Sequence, residues 1–193
     1  MLKAIDVTRG SALLQGIWDI YLTVFPACER LPEEIMLRLI EKMPESIALT
    51  AYLEEGAAET PENVHAMTFT INFSDLPFTY LLFLGVSETC QGQGSGTHIL
   101  NVVRQRFGKP ILIDVEIIDD PAAPNPQQRQ QRWRFYQRNG FVQTDYRTHY
   151  EDEEFQVLIC GMEVTEELVR KLDDKANALY NDSSFEDVWR EYS

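Results

Sequence analysis

A buried-strand pattern leads into three closely spaced glycines and then into a helix, and this segment most constrains the fold. The apolar run Tyr80–Val86 has the length of a buried strand and is far too short to span a membrane. Glycines follow at 92, 94 and 96, and apolar residues recur at helical spacing from Ile99 to Phe107. Because glycine has no Cβ, backbone N–H groups at such a helix start can approach an anion closely. The segment predicts a phosphate-binding turn, although a plain connecting turn would have the same composition.

The spacing of these residues excludes two well-known phosphate loops. A Walker loop requires a lysine after its last glycine, whereas Thr97 and His98 follow Gly96. A dinucleotide-binding fingerprint requires the pattern GxGxxG, and neither pair of glycines is followed by a third at that distance. The pattern that remains is Gln91-x-x-Gly94-x-Gly96.

Periodicity predicts a mixture of helices and strands around the glycine turn. Helical spacing occurs at 13–25, 32–43, 99–107 and 126–139, and strand-like runs occur at 47–53, 65–73, 78–86, 111–118, 141–150 and 155–162. Short links favour antiparallel neighbours, but the strand, helix, strand order from Phe78 to Ile118 requires a parallel crossover. Asn125 is a predicted N-cap ahead of Pro126. We expect one α/β domain at residues 1–162 and a helical extension at 163–193 that packs on the same domain.

Charge and cysteine content exclude several classes of function. The chain has 17 basic and 31 acidic residues, and a net charge of −14 disfavours binding to a nucleic-acid backbone. Residues 91–150 are the exception, with 8 basic and 5 acidic side chains. This balance is typical of a segment that binds an anionic ligand, and also of a solvated arginine-rich helix. Three separated cysteines and three separated histidines predict neither a disulfide framework nor a metal site. The sequence has no signal-peptide pattern, so we expect a cytoplasmic protein with no membrane partner.

Two motifs together resemble the signatures of the GCN5-related N-acetyltransferase (GNAT) superfamily. The pattern at residues 91–96 resembles its pyrophosphate-binding motif, Arg/Gln-x-x-Gly-x-Gly/Ala, which lies between the fourth strand and the third helix. The residues at 135–141, FYQRNGF, resemble its second signature, a helix ending in Leu/Phe-Tyr-x-x-x-Gly-Phe. The resemblance extends over roughly residues 1–162, is specific at 80–142, and is nearest to bacterial members of unassigned substrate. It implies an α/β (α+β) fold with a mixed, mostly antiparallel twisted sheet and helices on both faces.

The resemblance also implies an activity and a set of binding residues. The family transfers an acetyl group from acetyl-CoA to an amine by direct attack, without a metal. Its fourth strand contacts the pantetheine arm, which corresponds here to Leu84 and Val86. Its glycine turn binds pyrophosphate through backbone N–H groups. The corresponding residues here are Gln91, Gly92, Gln93, Gly94, Ser95, Gly96 and Thr97.

Tyr136 and Glu116 are the candidate catalytic residues. By its position in the second signature, Tyr136 would face the sulfur and protonate the departing thiolate; its alternative role is an aromatic core contact. Glu116 is the candidate proton acceptor for the amine. Asp114 and Glu116 alternate onto one face of an apolar strand, where a carboxylate needs either a partner or a chemical task. A salt bridge from Glu116 to an arginine of the next helix is the alternative, and Glu88 is the reserve candidate.

The acceptor and several contacts stay open at this stage. Arg129 stands where many family members have an asparagine that contacts pantetheine. Four arginines recur along the predicted helix at 126–139, and they either contact the 3′-phosphate of CoA or pair with acidic residues. They are Arg129, Arg132, Arg134 and Arg138. We expect a small-molecule or peptide amine as acceptor, cationic in view of the acidic composition and held near residues 20–45 and 119–126. No nucleic-acid partner is expected, a homodimer stays open, and a non-catalytic acyl-CoA-binding module is the alternative function.

Overall fold

The computed structural model describes residues 2–120, 123–150 and 153–192. Within these ranges the chain forms seven strands and six helices. The strands are β1 (Leu2–Asp6), β2 (Ile47–Glu54), β3 (Ala66–Ile71), β4 (Thr79–Val86), β5 (Ile111–Glu116), β6 (Val142–Tyr150) and β7 (Glu153–Cys160). The helices are α1 (Leu14–Val24), α2 (Glu33–Lys42), α3 (Ser95–Phe107), α4 (Pro126–Arg138), α5 (Glu166–Tyr180) and α6 (Glu186–Tyr192).

The strands form a single mixed sheet in the order β1-β2-β3-β4-β5-β7-β6. Neighbouring strands are antiparallel except for β4 and β5, which are parallel and connected through α3. The predicted fold class is therefore confirmed, including the parallel crossover. The sequence did not indicate that β7 lies between β5 and β6. The burial pattern explains this order, because β7 is buried at residues 156–159 whereas β6 is largely exposed and occupies the edge.

Helices cover both faces of the sheet, as predicted. One face packs on α1, α2 and α5, in a core that includes Ile17, Met36, Phe69 and Leu172. The other face packs on α3 and α4 through residues such as Leu100 and Tyr136. Because both faces are covered, the central strands carry apolar side chains on both sides, which is why their sequences read as continuous apolar runs.

The parallel pair β4 and β5 separates soon after it begins. Only Thr79 and Tyr80 of β4 have β5 partners, namely Ile111 and Leu112. A bulge in β4 accompanies the separation. Thr70 of β3 pairs with Leu81, whereas Phe69 of β3 pairs with Phe83, so Leu82 has no partner residue in β3. The bulge bends β4 away from β5 and opens a gap between the two strands.

The C-terminal helices pack against the domain in the same chain. Leu172, Tyr180 and Phe185 are buried in the core shared with α1 and α2. Arg38 on α2 forms an ion pair with Asp187 at 2.7 Å, on the exposed rim of this contact. Exposed ion pairs contribute little free energy, so burial of the apolar side chains holds these helices in place.

Candidate active site

The glycine turn between β4 and α3 presents free backbone N–H groups to solvent. Gly92 and Gly94 have φ angles of 78° and 83°, which residues other than glycine adopt only with strain. Gly94 is also the residue immediately before α3. In the described part of the chain, the N–H groups of residues 92–97 donate to no backbone or side-chain acceptor. Six free N–H groups at a helix N-terminus form a suitable site for a diphosphate.

Side chains of the turn support its main chain rather than face outward. The Gln91 amide donates to the carbonyl of Val86 at 3.0 Å, and the Gln93 amide donates to the carbonyl of Thr89 at 2.9 Å. The Ser95 hydroxyl donates to the Cys90 carbonyl at 3.2 Å. These bonds hold the turn in shape, so any anion would be bound by the backbone. Cys90 itself is buried with its sulfur 2.6 Å from Nδ1 of the His65 ring.

Gly96 is needed for packing rather than for its φ angle. A Cβ at this position would lie 2.8 Å from the Phe135 ring of α4. The first turn of α3 therefore lies directly on α4, which fixes the position of the glycine turn relative to the second motif. Thr97, one residue on, is exposed at the end of the turn.

We expect Gly94→Ala to weaken CoA binding about tenfold, because a left-handed alanine costs about 1–2 kcal/mol and the turn would relax away from its anion-binding shape. Isothermal titration with CoA measures the change. Gly10→Ala is a matched control, since Gly10 has a φ of 88°, open space around its Cβ position and no contact with the turn. Equal CoA affinity in both variants would contradict the assignment of the turn.

A cavity of about 120 Å³ lies at the gap between β4 and β5. Of the two predicted pantetheine contacts, Leu84 of β4 lines the cavity, whereas Val86 is not in its lining and packs beside Ile99 of α3. Glu29, Glu116, Arg132 and Tyr136 also line the cavity, and so do residues of β6 and α5. The two sequence-predicted catalytic residues therefore face one space.

Tyr136 is buried, with 8% of its surface exposed, and its ring packs edge-on against Phe135 and Phe141 at centroid distances of 5.1 and 5.4 Å. The aromatic contact and the cavity position thus occur together. Among the described residues, none forms a hydrogen bond with its hydroxyl. Burial raises the pKa of Tyr136 to about 12, opposed by Arg132 and helped by Asp114. The phenol is therefore protonated at neutral pH and free to donate.

Glu116 forms the salt bridge that the sequence left open as its alternative role. Arg132 and Arg129 of α4 both pair with its carboxylate, Arg129 at 3.3 Å from Oε1. The Asn125 amide donates to the same oxygen at 3.1 Å. Asn125 stands at the predicted N-cap position, but its side chain makes no capping bond, because its oxygen accepts a hydrogen bond from Nε of Arg129 at 2.9 Å instead. Both oxygens of Glu116 are thus engaged.

Glu29 is a cavity residue that the sequence analysis missed. It lies in a 3₁₀ turn, Ala27–Glu29, between α1 and α2. Burial raises its pKa to about 7, and the negative charge of Glu116 adds to the shift, while Arg132 and Arg129 oppose it. A carboxylate with a pKa near 7 is matched to proton transfer at neutral pH. No local pattern marks Glu29, because its perturbing neighbours come from β5 and α4.

Comparisons with solved structures relate this geometry to known proteins. A protein from Bacteroides thetaiotaomicron assigned to the GNAT acetyltransferase family has a TM-score of 0.70 and 17% identity, covering 91% of this chain and 96% of its own. A GNAT acetyltransferase from Elizabethkingia anophelis with acetyl-CoA bound has a TM-score of 0.55 and 17% identity, covering 83% and 98%. A Bacillus subtilis acetyltransferase in complex with CoA has a TM-score of 0.53 and 10% identity, covering 84% and 100%.

The chain has the GNAT acetyltransferase fold. No protein-family model matches the sequence, and a search of curated proteins finds no match. The resemblance inferred from two short motifs is therefore supported by the three-dimensional arrangement and not by overall sequence similarity. In the GNAT fold of this chain, the glycine turn and the second motif lie on one side of the β4–β5 gap and Glu29 lies on the other.

The remaining candidates lie away from the cavity. Glu88 is exposed and is not in the cavity lining, and Arg134 and Arg138 are exposed on α4. Of the predicted acceptor regions, 20–45 contributes Glu29, while residues 121 and 122 of the second region lie outside the described residues. In the described part of the chain, no group of three metal-ligating side chains occurs, and no helix is both long and apolar enough to cross a bilayer.

We expect Glu116→Gln to lower stability more than Glu29→Gln does. Removing the Glu116 charge leaves Arg132 without an ion pair among the described residues and Arg129 with Asp120 alone, and it should cost about 2 kcal/mol because the Glu116 side chain is largely buried. Glu29 has no ion pair among the described residues, so its neutral variant loses little. Urea unfolding at pH 8 measures both values. Similar losses in the two variants would contradict a structural role specific to Glu116.

Proposed function

We propose that this chain is a cytoplasmic N-acetyltransferase that moves an acetyl group from acetyl-CoA to a primary amine. One observation carries the proposal. The Tyr136 phenol, which has no hydrogen-bond partner among the described residues, and the Glu29 carboxylate, whose pKa is raised, line one cavity near the turn of free N–H groups. The GNAT proteins of similar fold, with acetyl-CoA or CoA bound, support acetyl-CoA as the acyl donor.

Acetyl-CoA would bind along the gap between β4 and β5. Its diphosphate would accept hydrogen bonds from the N–H groups of residues 92–97, where the α3 dipole favours negative charge. The β5-facing backbone of β4 beyond Tyr80 has no strand partner in the described structure, so it would bind the pantetheine amides beside Leu84. The thioester would then lie at Tyr136.

Three proton transfers accompany direct attack of the amine. Glu29 would accept a proton from the ammonium, directly or through water, to give a neutral nucleophile. The nitrogen attacks the thioester carbonyl, and a free N–H of β4 would stabilise the oxyanion. The C–S bond then breaks as the thiolate takes the Tyr136 proton, and the nitrogen would pass its second proton through water to the Tyr136 phenolate, which leaves a neutral amide. Glu116, the first candidate for the base, would raise the pKa of Glu29 and hold Arg129 and Arg132; its role as the base itself stays the second option.

A thiol-release assay with acetyl-CoA and a panel of primary amines tests the proposed activity. We expect amine-dependent release of CoA thiol, together with a mass increase of one acetyl group on the amine. A titration with CoA in parallel separates binding from chemistry. Tight CoA binding without thiol release from any amine would contradict the enzyme and identify a non-catalytic acyl-CoA-binding module.

A further inference from the structure

The part of the cavity that lies against α5, here called the inner end, is lined by buried residues. Tyr80, Thr148 and Leu172 line this end, and each is at most 4% exposed. Ala176 and Tyr180 of the same helix also line it. Since α5 belongs to the C-terminal extension, this part of the cavity is built by residues outside the two motifs that point to acetyl-CoA. It is on the same side of the sheet as Glu29 and therefore on the acceptor side.

Asp114 faces this inner end and has no cationic partner in the described part of the chain. One of its carboxylate oxygens, Oδ2, accepts hydrogen bonds from the hydroxyls of Tyr80 and Thr148, both at 2.7 Å. Burial raises the pKa of Asp114. Only neutral hydrogen-bond donors stabilise this carboxylate, whereas buried carboxylates in proteins are usually paired with a cation. A bound cation would supply the missing charge.

The walls around Asp114 also suit an alkylammonium group. Tyr80 and Tyr180 present aromatic rings to the same end of the cavity, and the Tyr150 ring packs edge-on against Tyr180 at 5.7 Å. Aromatic faces attract ammonium groups through the negative potential of the ring. The lining also includes the apolar side chains of Phe83 and Leu31, which suit an alkyl chain.

The spacing of the two carboxylates sets the length of such an acceptor. Asp114 and Glu116 are two residues apart on one face of β5, which corresponds to about 7 Å along the strand. Glu29 is close enough to Glu116 for the two charges to interact. A nitrogen at Glu29 and a second nitrogen at Asp114 would therefore be separated by roughly the length of a short alkyl chain.

We propose, resting on the proposed acetyltransferase activity, that the acceptor is a short linear diamine, with one ammonium bound at Asp114 between Tyr80 and Tyr180 while the other nitrogen is acetylated. Charge and shape both contribute to this selection. A monoamine of the same length would leave Asp114 without a cation, and a bulky amine would not fit beneath α5. Ala176 of α5 lines the same cavity with a small side chain, which would leave room for the inner ammonium.

The test compares putrescine, the diamine with a four-carbon chain, with butylamine, the monoamine of the same length. In the thiol-release assay we expect kcat/KM for putrescine to exceed that for butylamine by about thirtyfold or more, as for a buried charge pair. Asp114→Asn keeps the volume and a hydrogen-bond acceptor, and should reduce this ratio to near one. Equal kcat/KM values for both amines in the wild type, or an unchanged ratio in Asp114→Asn, would overturn the proposal.

A second variant tests the same site from α5. Ala176→Leu should fill the inner end and lower the putrescine-to-butylamine ratio about tenfold or more. Ala178→Leu is the matched control, because Ala178 lies on the exposed side of the same helix and its variant should keep the wild-type ratio. If both variants change the ratio equally, the effect comes from α5 as a whole and the inner-end assignment is wrong.

A binding measurement separates this proposal from the proposed activity. Putrescine should raise the melting temperature of the wild-type protein in the presence of CoA, and butylamine should not. Asp114→Asn should abolish the shift while it still binds CoA. A putrescine-specific shift without any acetyl transfer would overturn the activity and retain the diamine site; absence of the shift would overturn the diamine site.

Discussion

Tyr136→Phe should reduce kcat for acetyl transfer by about 10²-fold, because it removes a positioned proton donor from the departing thiolate. The phenyl ring keeps the contacts with Phe135 and Phe141, so the cavity should keep its shape. CoA affinity should change by less than about threefold, since the hydroxyl contributes to the transition state and little to the ground state. Stopped-flow thiol release under saturating acetyl-CoA measures the chemical step.

Tyr146→Phe provides the control for this prediction. Tyr146 lies on β6, packs against the core and does not line the cavity. Its variant should release thiol at the wild-type rate. If Tyr136→Phe alters CoA affinity and leaves kcat unchanged, then Tyr136 is a binding contact and the thiolate takes its proton from another donor.

Glu29→Gln should reduce kcat/KM by about 10²-fold above pH 7, because the variant has no carboxylate to accept the ammonium proton. In the wild type the pKa of Glu29 is raised to about 7. Activity should therefore rise with pH through about 7 as the carboxyl group deprotonates, and this limb should be missing from the variant. The pH dependence of kcat/KM reports ionisations of the free enzyme and free amine, so the limb at 7 is distinct from that of the amine at higher pH.

The same ionisation predicts the sign of a stability change. A carboxyl whose pKa is raised on folding stabilises the folded state most below its unfolded pKa of 4.5, and this contribution is lost as pH rises through about 7. The wild type should lose stability relative to Glu29→Gln over that interval.

Glu33→Gln is the control for activity, because Glu33 has a raised pKa but does not line the cavity. A rise in kcat/KM through about pH 7 that persists in Glu29→Gln would favour Glu116 as the base.

The sequence predicted the parts of the site that depend on local pattern. Strand alternation placed Asp114 and Glu116 on one face, and both face the cavity. The glycine spacing predicted a turn at the start of a helix, which Gly94 begins. These features follow from residues close together in the chain, where steric limits on the backbone decide the structure.

Features that depend on contacts between distant segments could not be predicted. Glu29 has an ordinary sequence context, and its pKa is raised by burial in the folded protein and by the charge of Glu116, which lies far away in the sequence. Asn125 has the sequence of an N-cap, but Glu116 binds its side chain. The short strand β1 was missed, because its five residues alternate only weakly and are stabilised by pairing with β2.

A crystal structure of the protein with a non-hydrolysable acetyl-CoA analogue tests the account most directly. We expect the diphosphate oxygens within hydrogen-bond distance of the N–H groups of residues 92–97, the pantetheine in the gap between β4 and β5, and the sulfur position against the Tyr136 hydroxyl. An analogue bound elsewhere, or bound at the turn with its sulfur directed away from Tyr136 and Glu29, would contradict the account.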